Sequence, residues 1–244
     1  MTVKANLALL NTTQFDSGAL GMMAMVIHAF TVPGSHRGSV RQGGTVIGDL
    51  NFVVDEASTV MQLDIDLAMV ARKAKPAGED CGCELKNARP KRTVSPKGYV
   101  LFYASAGSGY SVSVAHESDK SRFDSTQLDK GDLFALLLLE PAQYEGTNIL
   151  TKARLPITVE MLEGSPRELK ARFGAIETAN LVVTGGGFRP EKLHVVSAQG
   201  VVFQILEPSR IVIGKRPDSG QSKARVGPRA RWQKPANALR AGVR

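Results

Sequence analysis

The sequence predicts a mainly β protein: an antiparallel β-sandwich with a long basic loop and a disordered basic C-terminal tail. Three observations predict it. Apolar residues alternate with polar ones over short stretches, the period of a half-buried strand. Glycine and proline punctuate those stretches at close intervals, as turns do. The charge is segregated: residues 214–244 hold nine Lys/Arg against Asp218, a net +8, while residues 1–213 sum to zero.

Met22–Phe30 and Thr45–Val54 are expected strands, with turns at Pro33-Gly34 and Gly43-Gly44. Thr59–Val70 carries the cleanest alternation. Met61, Leu63, Ile65, Leu67 and Met69 interleave with Gln62, Asp64, Asp66 and Ala68, which predicts one strand with a wet face. Ala71–Gly98 differs in kind: eight basic residues, three acidic ones and almost nothing large and apolar predict an exposed loop of net +5. Strands resume at Tyr99–Ser105 and, after a Gly107-Ser108-Gly109 turn, along Tyr110, Val112 and Val114. Leu133–Leu139 is continuously apolar and bounded by Gly131 and Pro141, the pattern of a strand buried on both faces. Ile157–Leu162 is a further strand.

Ser165–Phe173 is the expected helix. Ser165 caps it, Pro166 suits the first helical position, Glu168 completes a capping box and Gly174 stops it. Beyond it, Leu181–Thr184, a triple-glycine turn at 185–187, Leu193–Val196, Val201–Leu206 and Arg210–Ile213 read as strands. They are too short for a sandwich of their own and must pair with the earlier sheet or with another subunit. The expected organisation is a β-sandwich domain over 1–164, a helical linker over 165–180, a β segment over 181–213 and the tail over 214–244. No fixed-period repeat is read from the chain.

No run in the 244 residues reaches the apolar length of a membrane span. Ala19–Phe30 resembles a signal-peptide core in composition, but polar residues precede it and no small-x-small cleavage site follows, so it is read as a buried strand. Cys81 and Cys83 are too close together to staple a large fold, which fits a reducing compartment and a cytoplasmic protein.

Two stretches resemble cupredoxin-like β-sandwiches. Gly187–Ile205 (GFRPEKLHVVSAQGVVFQI) is similar to an early hairpin of that family: an aromatic, a proline, a strand, a glycine turn and a second strand. Gly131–Tyr144 (GDLFALLLLEPAQY), followed by Ile157–Glu160, resembles the end of such a domain. The two stretches occur in reversed order, which implies two incomplete sandwiches, a permuted one, or coincidence. The resemblance implies a sandwich of cupredoxin or immunoglobulin type and no electron transfer. A type 1 copper site needs two His and a Cys, yet no Cys, His or Met lies between Tyr144 and Ile157, and no His follows Phe203.

Candidate chemistry is sparse. Cys81-Gly82-Cys83 could supply half of a tetrahedral zinc site or a reactive thiol pair, though no second cysteine pair exists to complete it. His28, His36, His116 and His194 are far apart in sequence and form no metal-ligand spacing. Asp64 and Asp66 would share a strand face, read as its solvated side. The 185–187 glycines lack the Lys-Ser/Thr and the helix of a phosphate loop, and Ser105, Ser108 and Ser111 fit no nucleophile elbow. No catalytic set and no cofactor are expected.

The tail carries a cumulative signal. Lys215, Arg216, Lys223, Arg225, Arg229, Arg231, Trp232, Lys234, Arg240 and Arg244 are the expected contacts to a polyanion or an acidic protein surface. The leading expectation is a non-enzymatic structural subunit, in a homo-oligomer or hetero-complex, whose tail docks on an acidic partner. The alternatives are a nucleic-acid-binding β protein using tail and loop, and a metal or redox protein using the Cys pair.

Overall fold

The computed structural model describes residues 12–74 and 92–217. The chain is mainly β. It runs through β1 (Gln14–Asp16), β2 (Ala24–His28), β3 (Gly34–Gln42), β4 (Thr45–Val54), β5 (Gln62–Asp66) and α1 (Leu67–Ala74). After 75–91 come β6 (Thr93–Val94), β7 (Tyr99–Tyr103), β8 (Tyr110–His116), β9 (Arg122–Asp124), β10 (Leu133–Leu137), β11 (Ala142–Asn148) and β12 (Arg154–Glu160). Then follow α2 (Pro166–Ala175), β13 (Ala179–Thr184), β14 (Gly187–Arg189), β15 (Leu193–Val196), β16 (Gly200–Ile205) and β17 (Ile211–Lys215).

These strands form three sheets. A seven-stranded sheet has the order β14-β13-β16-β10-β2-β7-β5. Two five-stranded sheets have the orders β6-β4-β3-β8-β9 and β1-β17-β11-β12-β15. The expected antiparallel sandwich is corrected to mixed sheets: most pairs are antiparallel, but β4·β6, β5·β7, β12·β15 and β13·β16 pair in parallel, because each joins strands separated by a long crossover. The C-terminal strands find their partners within the chain. β16 lies against β10, and β17 lies between β11 and β1. The division between 1–164 and 181–213 therefore does not follow the sheets.

The sheets instead divide the chain into two halves that repeat each other. In the first half β2 pairs with β7, β3 with β4 and β8, β4 with β6, β5 with β7, and β8 with β9. In the second, β10 pairs with β16, β11 with β12 and β17, β12 with β15, β13 with β16, and β17 with β1. Each pairing keeps its sense. The register agrees as well: Gly38 sits between Leu50 and Val114, and Gly146 sits between Leu155 and Ile213. The antiparallel β2·β10 pair joins the halves into one continuous sheet.

The last strand of the two halves differs in origin. β9 completes the first half and β1, from the other end of the chain, completes the second. Both lie in the same motif, Phe-Asp-Ser-x-x-Leu, at 15–20 and 123–128. Its hydrogen bonds repeat. The buried Ser17 Oγ accepts from Ile211 N at 3.0 Å, and Ser125 Oγ accepts from Val112 N at 2.9 Å. Leu20 bridges to Tyr110 and Leu128 to Ser209, so each motif carries the chain from one half into the other.

Thr59–Val70 is not one strand. β5 ends at Asp66, whose Oδ1 accepts from Ala68 N at 3.0 Å and so caps α1. The alternation runs on into the helix because Leu67 and Val70 there turn into the core. The expected loop over 71–98 is shortened from both ends, by α1 and by β6. Leu133–Leu139 is not buried on both faces either. Phe134, Leu136 and Leu138 enter the core, while Leu133, Ala135 and Leu137 stay half-exposed on the other side. The helix forms as expected, with reciprocal Ser165–Glu168 capping bonds, and ends one residue past Gly174.

One apolar cluster fills the interior. The seven-stranded sheet contributes Val26, Phe102, Phe134 and Phe203. The two smaller sheets contribute Phe52, Val114, Phe123, Tyr144, Ile157 and Ile213. Phe102 stacks on Phe123 at 5.4 Å, and Phe30 meets Phe52 at 5.0 Å.

Candidate functional site

Three of the four histidines, scattered in sequence, converge in the first half. β2 supplies His28, β3 His36 and β8 His116, because β3 pairs with β8 and Phe30, two residues past β2, packs between His28 and His36. His36 and His116 are buried, with ring centroids 4.8 Å apart. His36 also stacks on Phe52 at 5.2 Å and donates from Nδ1 to the Gly34 carbonyl at 3.2 Å. His116 is satisfied at both nitrogens. Nε2 donates to the Pro33 carbonyl at 3.0 Å, and Nδ1 accepts from Asp119 N at 2.8 Å and Ser118 N at 3.2 Å.

His28 donates from Nδ1 to Asp132 Oδ1 at 2.5 Å, and the buried Asp132 accepts from Asp129 N at 2.8 Å through its other oxygen. The pair crosses the seam between the halves, one register step beyond Ile27↔Leu133. A carboxylate in this position fixes an imidazole's tautomer and orientation. Its nearest rings are Phe30 at 4.4 Å and Phe123 at 4.5 Å, so the histidine is packed as part of an aromatic wall. Burial pulls the His36 ring below its ordinary pKa of 6.5; the Gly34 bond opposes this, and His116 and His28 add to it. Among the described residues no group of three or more His, Cys, Asp or Glu is arranged to hold a metal ion. His194 stands apart, exposed on β15.

The expected Asp64 and Asp66 pair divides. Asp64 accepts from Gln62 on the surface. Burial alone would raise the Asp66 carboxyl, but hydrogen bonds from Ser105, Ala68 and Met69 outweigh it and hold the group below its ordinary value.

Of the expected tail contacts, Lys215 and Arg216 lie within the described residues, and both belong to the body. Lys215 ends β17, further on than the strand expected over Arg210–Ile213. Lys215 Nζ meets Glu140 Oε1 at 2.5 Å and Arg216 meets Glu145 Oε2 at 2.5 Å. Lys223, Arg225, Arg229, Arg231, Trp232, Lys234, Arg240 and Arg244 lie outside the described residues, as do Cys81 and Cys83. Beside this exit point Tyr144 donates to the Glu140 carbonyl at 3.0 Å; burial, then the Glu140 charge, push its phenol up to about 12.

A cavity of about 560 Å³ opens between Thr12–Gln14 and the Gly107–Gly109 turn, with Asp16, Ala19, Gly21 and Met22 in its wall. Its carboxylate is occupied: Arg210 grips Asp16 with two bonds, at 3.1 and 2.8 Å. The remaining lining is neutral and, Met22 apart, polar or small.

What the spacing of the residues did not reveal is the histidine convergence and the paired crossover motif. The first depends on the strand order alone. The second had a signal, the identical Phe-Asp-Ser-x-x-Leu, though no constant period accompanies it along the whole chain. Comparison with known proteins finds no matching family model, no matching curated protein and no matching solved structure.

Proposed function

We propose that this protein is a non-catalytic structural subunit of a larger assembly: two tandem, permuted cupredoxin-like β-sandwiches carrying a basic segment that docks on an acidic partner surface. The observation that carries the reading is the anchorage at the end of β17. Glu140 and Glu145 pair with Lys215 and Arg216, so the first two basic residues are held by the body. Residues 217–244 then bring seven Lys/Arg and a single acid, enough to add strong electrostatic attraction to whatever shape the body presents. The cupredoxin-like reading is supported by where the two resembling stretches lie. Gly131–Tyr144 covers β10 and Gly187–Ile205 covers β14–β16, and β10 pairs with β16 in the second half. Their reversed order is what a permuted unit gives.

The polar groups of the interior support the same reading, because each described one has a scaffolding task. Ser17 and Ser125 hold the crossovers, Asn148 bonds Ser209 at 3.1 Å, and Asp132 holds His28. The test is to truncate the chain after Pro217 and compare its retention in the native complex with that of the full chain. The truncated protein is expected to fold normally and to dissociate at physiological salt. Full retention would overturn the docking role. Retention lost together with bound RNA or DNA would assign the segment to nucleic acid instead.

A further inference from the structure

The seven-stranded sheet has an outer face unlike that of its two neighbours. On the first five-stranded sheet the outward positions hold Arg37, Ser39, Asp49, Asn51, Ser111 and Ser113, the polar set of a solvated face. On the second they hold Gln143, Glu145, Thr147, Arg154 and Thr158. On the seven-stranded sheet the outward positions of the central strands β7, β2, β10 and β16 include Met25, Ile27, Leu101, Leu133, Leu137 and Val202, while polar residues, Gln62, Asn180 and Gln204, lie toward the two edges. The apolar ones are half-exposed and lie outside the buried cluster and its fringe. α1 does not cover them, since its contacts are with β4, β3 and β8. Monomeric proteins rarely leave an apolar face of this breadth open.

We propose that this face is the contact of a homodimer, in which the seven-stranded sheets of two copies pack face to face. Charge and size select a second copy as the occupant. The face carries opposite charges at its two ends: on the edge strand β5 the exposed Asp64 and the half-buried Asp66, whose Oδ1 already accepts from Ala68 N and Ser105 N, and on the opposite edge strand β14 Arg189. A two-fold axis running along the strands reverses strand order between copies, so each Asp64 meets the other copy's Arg189. An axis across the strands would set Asp64 against Asp64. The surface is thus self-complementary in one orientation, as an isologous dimer requires. Seven strands about 4.8 Å apart and about five residues long give a face of roughly 30 by 17 Å. Two such faces bury about 1,000 Å² before side-chain relief is counted, the lower bound of a specific interface. The packing also explains the wholly apolar run at Leu133–Leu139, which reads as buried on both sides: the second side is buried by the partner.

The dimer does not depend on the basic segment, so protein truncated after Pro217 is expected to dimerise equally. Sedimentation velocity on the full chain is expected to give twice the 26.1 kDa monomer mass. Leu133→Glu is expected to give a monomer whose thermal transition is retained, because Leu133 packs outside the core cluster. Asp64→Arg is expected to raise the dimer dissociation constant by about tenfold or more, and adding Arg189→Asp to restore it. A monomeric wild type overturns the proposal, as does a dimer that survives Leu133→Glu or a charge-swapped pair that fails to recover. A monomer that associates only when residues 1–11 are removed also overturns it, by assigning the face to the chain's own N-terminal segment.

Discussion

Ser17 and Ser125 show how much of this fold rests on single side chains. Each hydroxyl stands in for the backbone carbonyl that β17 or β8 would otherwise bond at the crossover. Replacing either by Ala leaves a buried N–H without an acceptor, which costs about 1–3 kcal/mol. Ser17→Ala and Ser125→Ala are expected to lower stability by similar amounts in urea melts. A loss confined to one site would show that the halves do not use the motif in the same way. The acid side of the stability profile also belongs to named residues. The pKa of His36 is lowered on folding, so the unfolded chain binds its proton first as pH falls through 6.5. Stability therefore declines between 6.5 and the lower folded value and is whole above 6.5. Asp66, also lowered, contributes stability above its ordinary 3.8, lost as pH falls from there through its folded value. His36→Phe, which keeps the ring packed on Phe52, is expected to flatten the upper window and leave the lower one; unchanged slope near 6.5 would contradict the assignment.

At the scale of elements, the sequence made plain those strands with a run of apolar inward positions, such as β4, β7, β8 and β16, and the helix with its capping box. β3 and β11 were not legible. Their inward positions are His36, Gly38 and Val40 in one and Tyr144, Gly146 and Asn148 in the other, so no apolar alternation marks them. The same two strands are equivalent in the repeat, and the glycine is central to both. A Cβ on Gly38 would lie 2.7 Å from the Ser113 carbonyl oxygen, whereas one on Gly146 would meet its nearest neighbour, Leu155, at 3.4 Å. Gly38→Ala is expected to destabilise the protein clearly more than Gly146→Ala in thermal unfolding. Equal effects would mean that the first half relaxes around the added methyl. β1 and β9 escaped notice because three residues carry no period. The histidine cluster escaped because only the strand order brings β2, β3 and β8 together. The alternation over Thr59–Val70 misled for a different reason: Asp66 ends the strand and caps the helix, while the apolar positions happen to continue.

For the whole molecule, duplication accounts for features that look unrelated in the sequence. It explains the return of the C-terminal strands to sheets begun by earlier ones. It also explains the closure of the second half by a strand from residues 14–16. Asp16 and Arg210 lock that closure: the hydrogen bonds to Asp16 raise the arginine's already high pKa, and burial opposes them. The resulting body spends its polar interior on its own architecture, and the charge surplus of the sequence lies after β17. The measurement that tests this most directly is the mass and composition of the native complex from its own cells, by size exclusion with mass detection at physiological salt. A discrete particle, well above the 26.1 kDa chain, that contains other proteins is expected. A monomer, or a particle made of this chain alone, would contradict the role in a larger assembly.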